Sequence, residues 1–378
     1  MIIDIHCHPA LKSYLFENSL FSVNLQDEHK SVREVNYLRL QTDIPNMKRG
    51  GLRAAISAHY IPEVGLMHES TLIKMGSSSL SLFWRSLKEK LEMEDSGQSV
   101  FEQTLESIRI FELKIISAQM DSEVVTCAHS FEEFHKLLNE DKIVFLHSVE
   151  GAHSLGRSHI PEDHLRNLDI LFDKGVCMLT LGHFYDNDLV SPTEGIPPLQ
   201  RRLFDKHTHK DLTKGLSPIG EIVVRHMIEK GMLIDLVHST PIARKRIFEI
   251  NDEYKGNKRP LVFSHSGVQK LFVNEAYPSD KYYSPDTEEI LKIKDCNGLI
   301  GIVFMNYWLT GKDDRFLKYE PAMDYVYQTI KVIHTVTNSF DNIAIGTDFD
   351  AMNNPSDDLF NHSFLPKLVE YLDMKGIS

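Results

Sequence analysis

Two histidines close to the N-terminus have the type and spacing of metal ligands. His6 and His8 are separated by one residue at the end of an apolar run, residues 1–6. If that run is a β-strand, both imidazoles point the same way, because side chains two residues apart share one face of a strand. Imidazole nitrogens suit zinc and the neighbouring first-row metals. The spacing therefore predicts a metal site, with a contact to loop backbone as the alternative.

Further metal-binding side chains follow other apolar runs of the chain. Glu150 ends one such run just before Gly151 and is suited to bridging two metal ions, with a structural role as acceptor for loop amides as the alternative. His238 and His265 end two consecutive runs in similar sequence contexts. Either histidine alone would more often be a buried structural residue. Together with the N-terminal pair, the two histidines favour a shared metal site.

Two more residues are candidates for proton transfer and charge stabilisation. Asp348 is suited to accept a proton from an activated water, a role that needs a carboxylate near the nucleophile. The alternative for Asp348 is capping of the following loop, which is the role we predict for Asp350. His183 is suited to polarising a carbonyl or holding an oxyanion, with a non-catalytic loop contact as the alternative. Structural or solvent-facing roles are predicted for His147, His153, His207 and His209, and the role of His59 stays open.

The elements that must position these residues are eight short apolar runs, several of them separated by amphipathic helical patterns. Runs of this length, rich in Val, Ile and Leu, are typical of strands buried on both faces. Eight such runs with intervening helices predict an α/β fold, a (β/α)₈ TIM barrel, in a single domain over residues 1–378. The predicted strands are residues 1–6, 52–59, 143–150, 176–183, 233–238, 261–265, 299–304 and 343–348.

Seven of the eight runs lead into a residue that can bind metal or transfer a proton. In a (β/α)₈ barrel the C-terminal ends of the strands surround one mouth, where the chemistry takes place, and the first and last strands are neighbours. This placement predicts a barrel of the metal-dependent hydrolase type. The seven residues are His6, His59, Glu150, His183, His238, His265 and Asp348.

Two segments are longer than ordinary loops, an insertion at about residues 61–141 and a mouth loop at about residues 185–216. Each is interpreted either as a lid or substrate wall or as surface elaboration. The insertion contains a helical pattern at about residues 100–120 and an apolar run at 123–128, which leaves the strand count uncertain by one. Helices are also predicted at residues 220–230 and 363–374, and a capping box is predicted at Ser130.

Composition limits the classes of partner. A formal net charge of −13 argues against a nucleic-acid or anionic-membrane partner. The four cysteines show no C-x-x-C pairing, which favours free thiols in a reducing compartment. No apolar run approaches the roughly 20 residues of a membrane span, and a first strand at Met1 leaves no room for a signal peptide. We therefore expect a cytoplasmic protein, with a trimmed chain as the alternative.

The combined pattern resembles the membrane dipeptidase (renal dipeptidase) family of the amidohydrolase superfamily, peptidase family M19. The resemblance spans nearly the whole chain, and its stretches are far more discriminating together than singly. They are residues 148–154 (SVEGAHS), 179–183 (LTLGH), 215–218 (GLSP) through a helix to 234–238 (IDLVH), 263–266 (FSHS) and 346–350 (GTDFD).

The resemblance implies a centre of two zinc ions per chain. By resemblance, His6, His8 and Glu150 bind one ion. The second ion is then bound by Glu150, His238 and His265, so that Glu150 and a hydroxide bridge the two. The resemblance further implies attack of this hydroxide on the amide bond of a dipeptide or a dipeptide-like small molecule.

The resemblance also assigns two catalytic roles. Asp348 would pass the proton of the attacking water to the leaving amine, and His183 would assist at the oxyanion. By resemblance to the family, a homodimer is one option for the oligomeric state. Neither a nucleic-acid nor a membrane partner is implied.

The chain departs from the family's usual pattern in three places. The first strand has His6-x-His8 where the family usually has His-x-Asp, which makes that metal pocket less anionic. The family carries an arginine after the strand-six histidine that holds the substrate carboxylate, but residues 271–277 contain none, and the nearest bases are Lys270 and Lys281. Loss of a bidentate guanidinium is not neutral, so the substrate end of the site is expected to differ. The chain also ends before the family's usual tail, which leaves C-terminal truncation open.

Two other functions stay open. Metal-dependent phosphodiesterases and nucleases of the TatD-like branch use a similar ligand set, although the net charge and residues 346–350 argue against them. A degenerate member that binds without catalysis is the second alternative. Less than one metal ion per chain after zinc reconstitution would identify that case.

Overall fold

A closed ring of eight parallel strands forms the centre of the computed structural model. The structure describes residues 1–16, 41–63, 99–122, 124–198, 201, 210–312, 322–351, 355–356 and 358–377. His207, His209 and parts of both predicted long segments lie outside the described residues. The strands are β1 (Ile2–Cys7), β2 (Leu52–His59), β3 (Val125–Cys127), β4 (Ile143–Glu150), β5 (Val176–Thr180), β6 (Leu233–Asp235), β7 (Leu261–Ser266), β8 (Leu299–Ile302) and β9 (Ile343–Ile345).

The ring closes by pairing between β2 and β4. From β2 the order runs through β1, β9, β8, β7, β6 and β5 to β4, and all these pairs are parallel. Because β1 lies between β2 and β9, the first and last strands are neighbours, as predicted. The (β/α)₈ TIM-barrel prediction is therefore confirmed.

The strand β3 is the uncertain ninth strand of the sequence analysis, and it lies outside the ring. It pairs with the first residues of β4, Ile143–Phe145. The later residues of the same β4 edge, from His147 to Glu150, pair with β5. β3 therefore extends the sheet at the N-terminal end of β4 without entering the barrel.

The interior of the barrel is filled by apolar side chains from every strand of the ring. Inward-pointing residues of alternate strands stack in layers in this fold, so the interior is a packed core rather than a pore. This core positions the polar residues at the mouth above it. Its contributors include Ile5, Ile56, Leu146, Met178, Leu233, Val262, Leu299 and Ala344, one from each of the eight strands.

Helices connect the strands on the outside of the barrel. None of the described helices is both long and apolar enough to cross a membrane. Single 3₁₀ turns span Ala152–Leu155, Gln269–Leu271, Pro278–Tyr283 and His362–Phe364. The α-helices are α1 (Pro9–Phe16), α2 (Ile44–Arg49), α3 (Val100–Ser122), α4 (Phe131–Leu137), α5 (Pro161–Asp173), α6 (Pro218–Lys230), α7 (Pro241–Glu253), α8 (Thr287–Asp295), α9 (Asn306–Thr310), α10 (Ala322–Thr337) and α11 (Leu365–Met374).

The helix signals in the sequence are largely reproduced. α6 begins two residues before the predicted start, after Ser217, whose hydroxyl oxygen accepts a hydrogen bond from the amide of Gly220 at 2.9 Å. At Ser130 only half of the predicted capping box forms. The Ser130 hydroxyl accepts from the amide of Glu133, but the Glu133 carboxylate accepts from the amide of His129 at 2.8 Å.

Three strands end earlier than predicted, before the polar residue that was expected to terminate them. β5, β6 and β9 end at Thr180, Asp235 and Ile345. His238 and Asp348 have left-handed backbone, with φ of 65° and 57°, which cannot continue a strand. His183, His238 and Asp348 therefore lie on the loops that follow these three strands, at the mouth.

Candidate metal centre

Glu150, the last residue of β4, lies at the centre of a cluster of histidines at the barrel mouth. Its carboxylate oxygens are within 3.4–3.6 Å of the Nε2 atoms of five imidazoles. All these residues are buried. The structure thus brings together the five predicted metal ligands and His183. The five histidines are His6, His8, His183, His238 and His265.

Glu150 belongs to two overlapping groups of side chains that could each hold a metal ion. One is His6, His8 and Glu150, and the other is Glu150, His238 and His265. Zinc bonds of about 2.0–2.2 Å place neighbouring ligand atoms about 3.3 Å apart in a tetrahedral site. The His6 and His8 Nε2 atoms are 3.1 Å apart, and Glu150 lies 3.4–3.6 Å from the imidazoles. This donor set fits two divalent ions that share Glu150.

The electrostatics of the cluster suit exchange of a proton for a metal ion. Burial disfavours the charged form of His6, but the negative charges of Glu150 and Asp348 prevail and raise its pKa to about 9. Burial also opposes ionisation of Glu150, whose pKa the imidazoles of His183, His6 and His8 nevertheless hold well below its usual range. Metal ligands must be deprotonated, so binding of metal here releases protons.

Gly151 allows the chain to turn sharply after Glu150. Its φ is +90°, and a Cβ atom there would lie 2.4 Å from the His153 ring and 3.2 Å from the His183 Cβ. His153 is partly buried, and its Nε2 lies 2.8 Å from the Ile61 carbonyl oxygen. The bond to the backbone fits the structural role predicted for His153.

A buried carboxylate, Asp4, ties the first strand to the last. It accepts hydrogen bonds from the amide and hydroxyl of Thr347 at 3.1 and 2.6 Å, and from the amide of His6 at 3.1 Å. His362 Nε2 is a further neighbour at 2.8 Å. These bonds connect the residue before Asp348 with the strand that carries the His6–His8 pair.

A second buried carboxylate, Asp235 at the end of β6, also supports the centre. It accepts from the hydroxyls of Thr180 and Ser264, each at 2.6 Å. Since Ser264 gives its proton to Asp235, its oxygen accepts from His265 Nδ1 at 2.8 Å. That assigns the proton of His265 to Nδ1 and leaves the Nε2 lone pair facing Glu150, as metal ligation requires.

Asp348 lies at the edge of the centre, where a substrate can reach it. Its Oδ1 atom is 3.2 Å from His8 Nε2 and 3.7 Å from His6 Nε2, and its side chain is 14% exposed against 3% for Glu150. The left-handed backbone costs on the order of 1–3 kcal/mol and is typical of functional positions. Asp350 instead accepts hydrogen bonds from the amides of residues 41 and 42, ahead of α2.

Glu63 is a functional candidate that the sequence analysis missed. One of its oxygens lies 2.8 Å from His183 Nδ1, and the other accepts from the amides of Phe184 and Tyr185 at 3.1 and 3.0 Å. Burial opposes its charge, but His183 and His153 lower the pKa of Glu63 to about 2. Glu63 is therefore a charged acceptor that directs the other nitrogen of His183 towards Glu150. Its place shortly after β2 was the only signal in the sequence.

Two arginines outside residues 271–277 lie beside the neighbouring segment, residues 278–283. Arg201 lies against residues 278–283, with Nη2 2.6 Å from Asp280 and Nε 3.2 Å from Glu194. Arg244, which donates to the Tyr282 carbonyl, pairs with Glu289 at 2.6 Å. Both arginines that the described residues place beside this segment are thus already paired with carboxylates.

His59, whose role the sequence left open, faces away from the mouth. Its Nε2 lies 3.0 Å from His147 Nδ1, and its Nδ1 lies 2.9 Å from the Ser107 hydroxyl on α3. Both histidines are fully buried. The histidine at the end of β2 therefore belongs to the interface between the barrel wall and α3.

Residues 1–378 match the family described as Membrane dipeptidase (Peptidase family M19). The chain is 27% identical over 260 residues to Dipeptidase tcpJ of Claviceps purpurea, covering 69% of this chain and 52% of that protein. It is 25% identical over 368 residues to Dipeptidase 3 of Mus musculus, covering 97% of this chain and 58% of the relative.

Solved structures share the fold. A metallopeptidase from Rhodobacter sphaeroides, crystallised with a phosphinate mimic of the dipeptide L-Ala-D-Ala, superposes with a TM-score of 0.64 at 16% identity. The match covers 100% of this chain and 93% of that one. The chain spans about half the length of the first curated relatives it matches.

Proposed function

This chain belongs to the membrane dipeptidase family, peptidase family M19, and we propose that it is a zinc-dependent dipeptidase with two metal ions. Its substrates would be dipeptides or dipeptide-like amides. The observation that carries the proposal is the convergence of Glu150 with the imidazoles of four predicted ligands. Family membership favours this function over a TatD-like phosphodiesterase, and an intact ligand set favours it over a non-catalytic binding protein. The four imidazoles belong to His6, His8, His238 and His265.

Bound zinc would polarise the scissile carbonyl and lower the pKa of a water from roughly 16 to about 7. The protein's own residues then have separate tasks. Asp348 accepts the proton of the attacking water and delivers it to the leaving amine as the C–N bond breaks. Burial opposes the charge of His183, but the carboxylates of Glu150 and Glu63 raise its pKa, so we infer that it acts as an imidazolium. Its Nδ1–H donates to Glu63, and its Nε2–H donates to the oxygen on which negative charge develops.

Removal of metal tests the proposal directly. We expect a chelator to abolish dipeptide hydrolysis and added zinc to restore it, because the proposed nucleophile is a water that the metal activates. Hydrolysis is followed by amino-acid release, and circular dichroism verifies that the chelated protein stays folded. If the zinc-loaded protein turns over no member of a panel of L-L and L-D dipeptides, the peptidase assignment is wrong.

Substitution of Glu63 tests the assignment of His183. We expect Glu63→Gln to lower kcat about 10- to 100-fold, the usual effect of losing a partner that orients an active-site imidazole. KM and zinc content should change little, since Glu63 bonds to Tyr60, His183 and two backbone amides rather than to a predicted metal ligand. Steady-state kinetics with metal analysis measure all three quantities.

A matched variant, Tyr60→Phe, distinguishes loss of the Glu63–His183 bond from a change in packing around Glu63. Tyr60→Phe removes a hydroxyl that donates weakly to Glu63 at 3.3 Å and keeps the His183 contact. It should retain nearly full activity. Equal losses of kcat in Tyr60→Phe and Glu63→Gln would mean that local packing, rather than the bond to His183, is responsible.

The paired arginines predict a weak preference for a free substrate carboxylate. An unpaired guanidinium typically contributes about 1.5–3 kcal/mol to such a contact, which is roughly 10- to 150-fold in affinity. Since Arg201 already binds Glu194 and Asp280, we expect kcat/KM for a dipeptide and its C-terminal amide to differ by less than about 5-fold. A preference above tenfold for the free acid, lost in Arg201→Ala, would instead identify Arg201 as the carboxylate anchor.

A further inference from the structure

A second group of metal-binding side chains lies on the outer wall of the barrel, between α3 and the β3–β4 pair. It consists of Glu112 on α3, His129 directly after β3 and His147 on β4, which we call the peripheral cluster. Leu146 belongs to the barrel interior, so its neighbour His147 points outwards. One nitrogen or oxygen from each of the three residues lies within 4.8 Å of the others. The peripheral cluster shares no residue with the mouth.

The geometry of the peripheral cluster is that of a site with two nitrogen ligands and one oxygen ligand. Glu112 Oε1 is 2.7 Å from His129 Nε2 and 3.6 Å from His147 Nε2. The two imidazole centres are 5.8 Å apart. Ligand atoms around a tetrahedral zinc ion lie about 3.3 Å from one another. Small rotations of the exposed His129 and Glu112 side chains would bring all three atoms to that spacing.

His147 Nε2 sets the cluster apart from an ordinary surface ion pair. The side chains of His129 and Glu112 are 44% and 30% exposed, and alone they would be a surface pair of little consequence. His147 is fully buried, and within the described part of the chain its Nε2 has no hydrogen-bond partner. An unsatisfied buried nitrogen is destabilising, and this one is directed at the Glu112 carboxylate.

The ring nitrogen of His147 that points away from the cluster has a hydrogen-bond partner, as is usual for a metal-binding histidine. His147 Nδ1 lies 3.0 Å from His59 Nε2, and His59 Nδ1 lies 2.9 Å from Ser107 Oγ. If each imidazole donates outwards along this chain, His147 keeps its Nδ1 proton and presents the Nε2 lone pair to the cluster. Burial lowers the pKa of both His147 and His59, although the Glu112 carboxylate opposes this shift at His147.

His129 is held in a similar way despite its exposure. Its Nδ1 is 3.6 Å from the Glu133 carboxylate, an ion-pair distance rather than a hydrogen bond. The same carboxylate accepts a hydrogen bond from the His129 amide at 2.8 Å. Its ring lies over Gly175, where φ is +85° and a Cβ atom would meet the His129 Cα, Cβ and Cδ2 atoms at 2.9 Å. A carboxylate behind an imidazole is the usual support of a metal-bound histidine.

We propose that Glu112, His129 and His147 form a mononuclear site for a divalent cation of the zinc class. The ligand atoms are the Glu112 carboxylate and the two Nε2 nitrogens, and the fourth position is open to solvent. Two imidazoles with one carboxylate select zinc and its first-row neighbours over magnesium or calcium. The ion enters from the exposed side of Glu112 and His129. Its effect is structural, because it joins α3 of the predicted insertion to two strands at the barrel wall.

The test compares zinc content between the wild type and two variants of the whole chain. After reconstitution with zinc alone and removal of excess, we expect Glu112→Gln and His129→Ala each to contain one zinc ion fewer than the wild type. His135→Ala, which removes an exposed histidine on α4 outside the cluster, should match the wild type. Because the readout is a difference, it holds whether the mouth binds two ions, one or none, so it does not depend on the proposed function.

A second measurement reports where the extra ion binds. Zinc should slow hydrogen exchange of the α3 amides in the wild type and in His135→Ala, but not in the two cluster variants. Circular dichroism spectra of the two cluster variants should match the wild type, which shows that they are folded whether or not the protein hydrolyses dipeptides. Identical zinc content in all four proteins, or identical protection of α3, would overturn the proposal.

Discussion

Replacing Glu150 with glutamine is expected to abolish hydrolysis and to empty at least one of the two metal positions at the mouth. Among the described residues, this carboxylate is the single group that lies within 3.6 Å of all five imidazoles, and its two oxygens divide between them. Glutamine keeps the shape but turns one oxygen into an amide group that repels a cation. Since metal activation supplies several kcal/mol, kcat/KM should fall by more than about 10³-fold. Amino-acid release and zinc content measure the effect.

A shorter carboxylate at the same position gives the matched comparison. Glu150→Asp keeps the charge among the imidazoles, but loses one methylene and with it the reach needed to serve both ligand groups. We expect this variant to bind one zinc ion rather than two at the mouth and to remain nearly inactive. Full zinc content with more than a tenth of wild-type activity in Glu150→Gln would show that the carboxylate does not bridge metal ions.

Much of the fold could be predicted because each buried strand corresponds to a short apolar run in the sequence. The eight ring strands are the eight apolar runs, and each contributes a side chain to the barrel interior. The run at residues 123–128 is equally apolar, and Val125 is fully buried. What separates β3 from the ring is its register, which pairs it only with the first three residues of β4. Register depends on tertiary contacts that no local pattern records.

The candidate centre could be predicted to the extent that it follows from topology. His6, Glu150 and His265 end strands, and the barrel brings strand ends together whatever the loops do. Glu63 could not be found this way, because it meets His183 across 120 residues of sequence from a segment without periodicity. The left-handed backbone of His238 was equally hidden, since that conformation is uncommon outside glycine and is imposed by the surrounding loops.

Replacing Asp348 with asparagine is expected to remove proton transfer while leaving the metal centre intact. Asparagine matches aspartate in shape and is among the residues that best tolerate the left-handed backbone found here. It can still accept a hydrogen bond but cannot carry a proton between water and the leaving amine. Loss of general acid–base catalysis should lower kcat by about 10²- to 10⁴-fold, with KM and zinc content nearly unchanged.

A substrate with a better leaving group and a control variant at Asp350 distinguish proton transfer from other roles of Asp348. An aminoacyl p-nitroanilide, whose leaving amine needs little protonation, should lose less activity in Asp348→Asn than a dipeptide does. Asp350→Asn serves as the control: it weakens the attachment of residues 41 and 42 to the barrel and should lower stability rather than kcat.

If Asp348→Asn loses zinc together with activity, Asp348 is a ligand, because its Oδ1 is only 3.2 Å from His8 Nε2. The proton would then have to leave through His183, the one other titratable side chain among the described residues that touches Glu150 without being a predicted ligand.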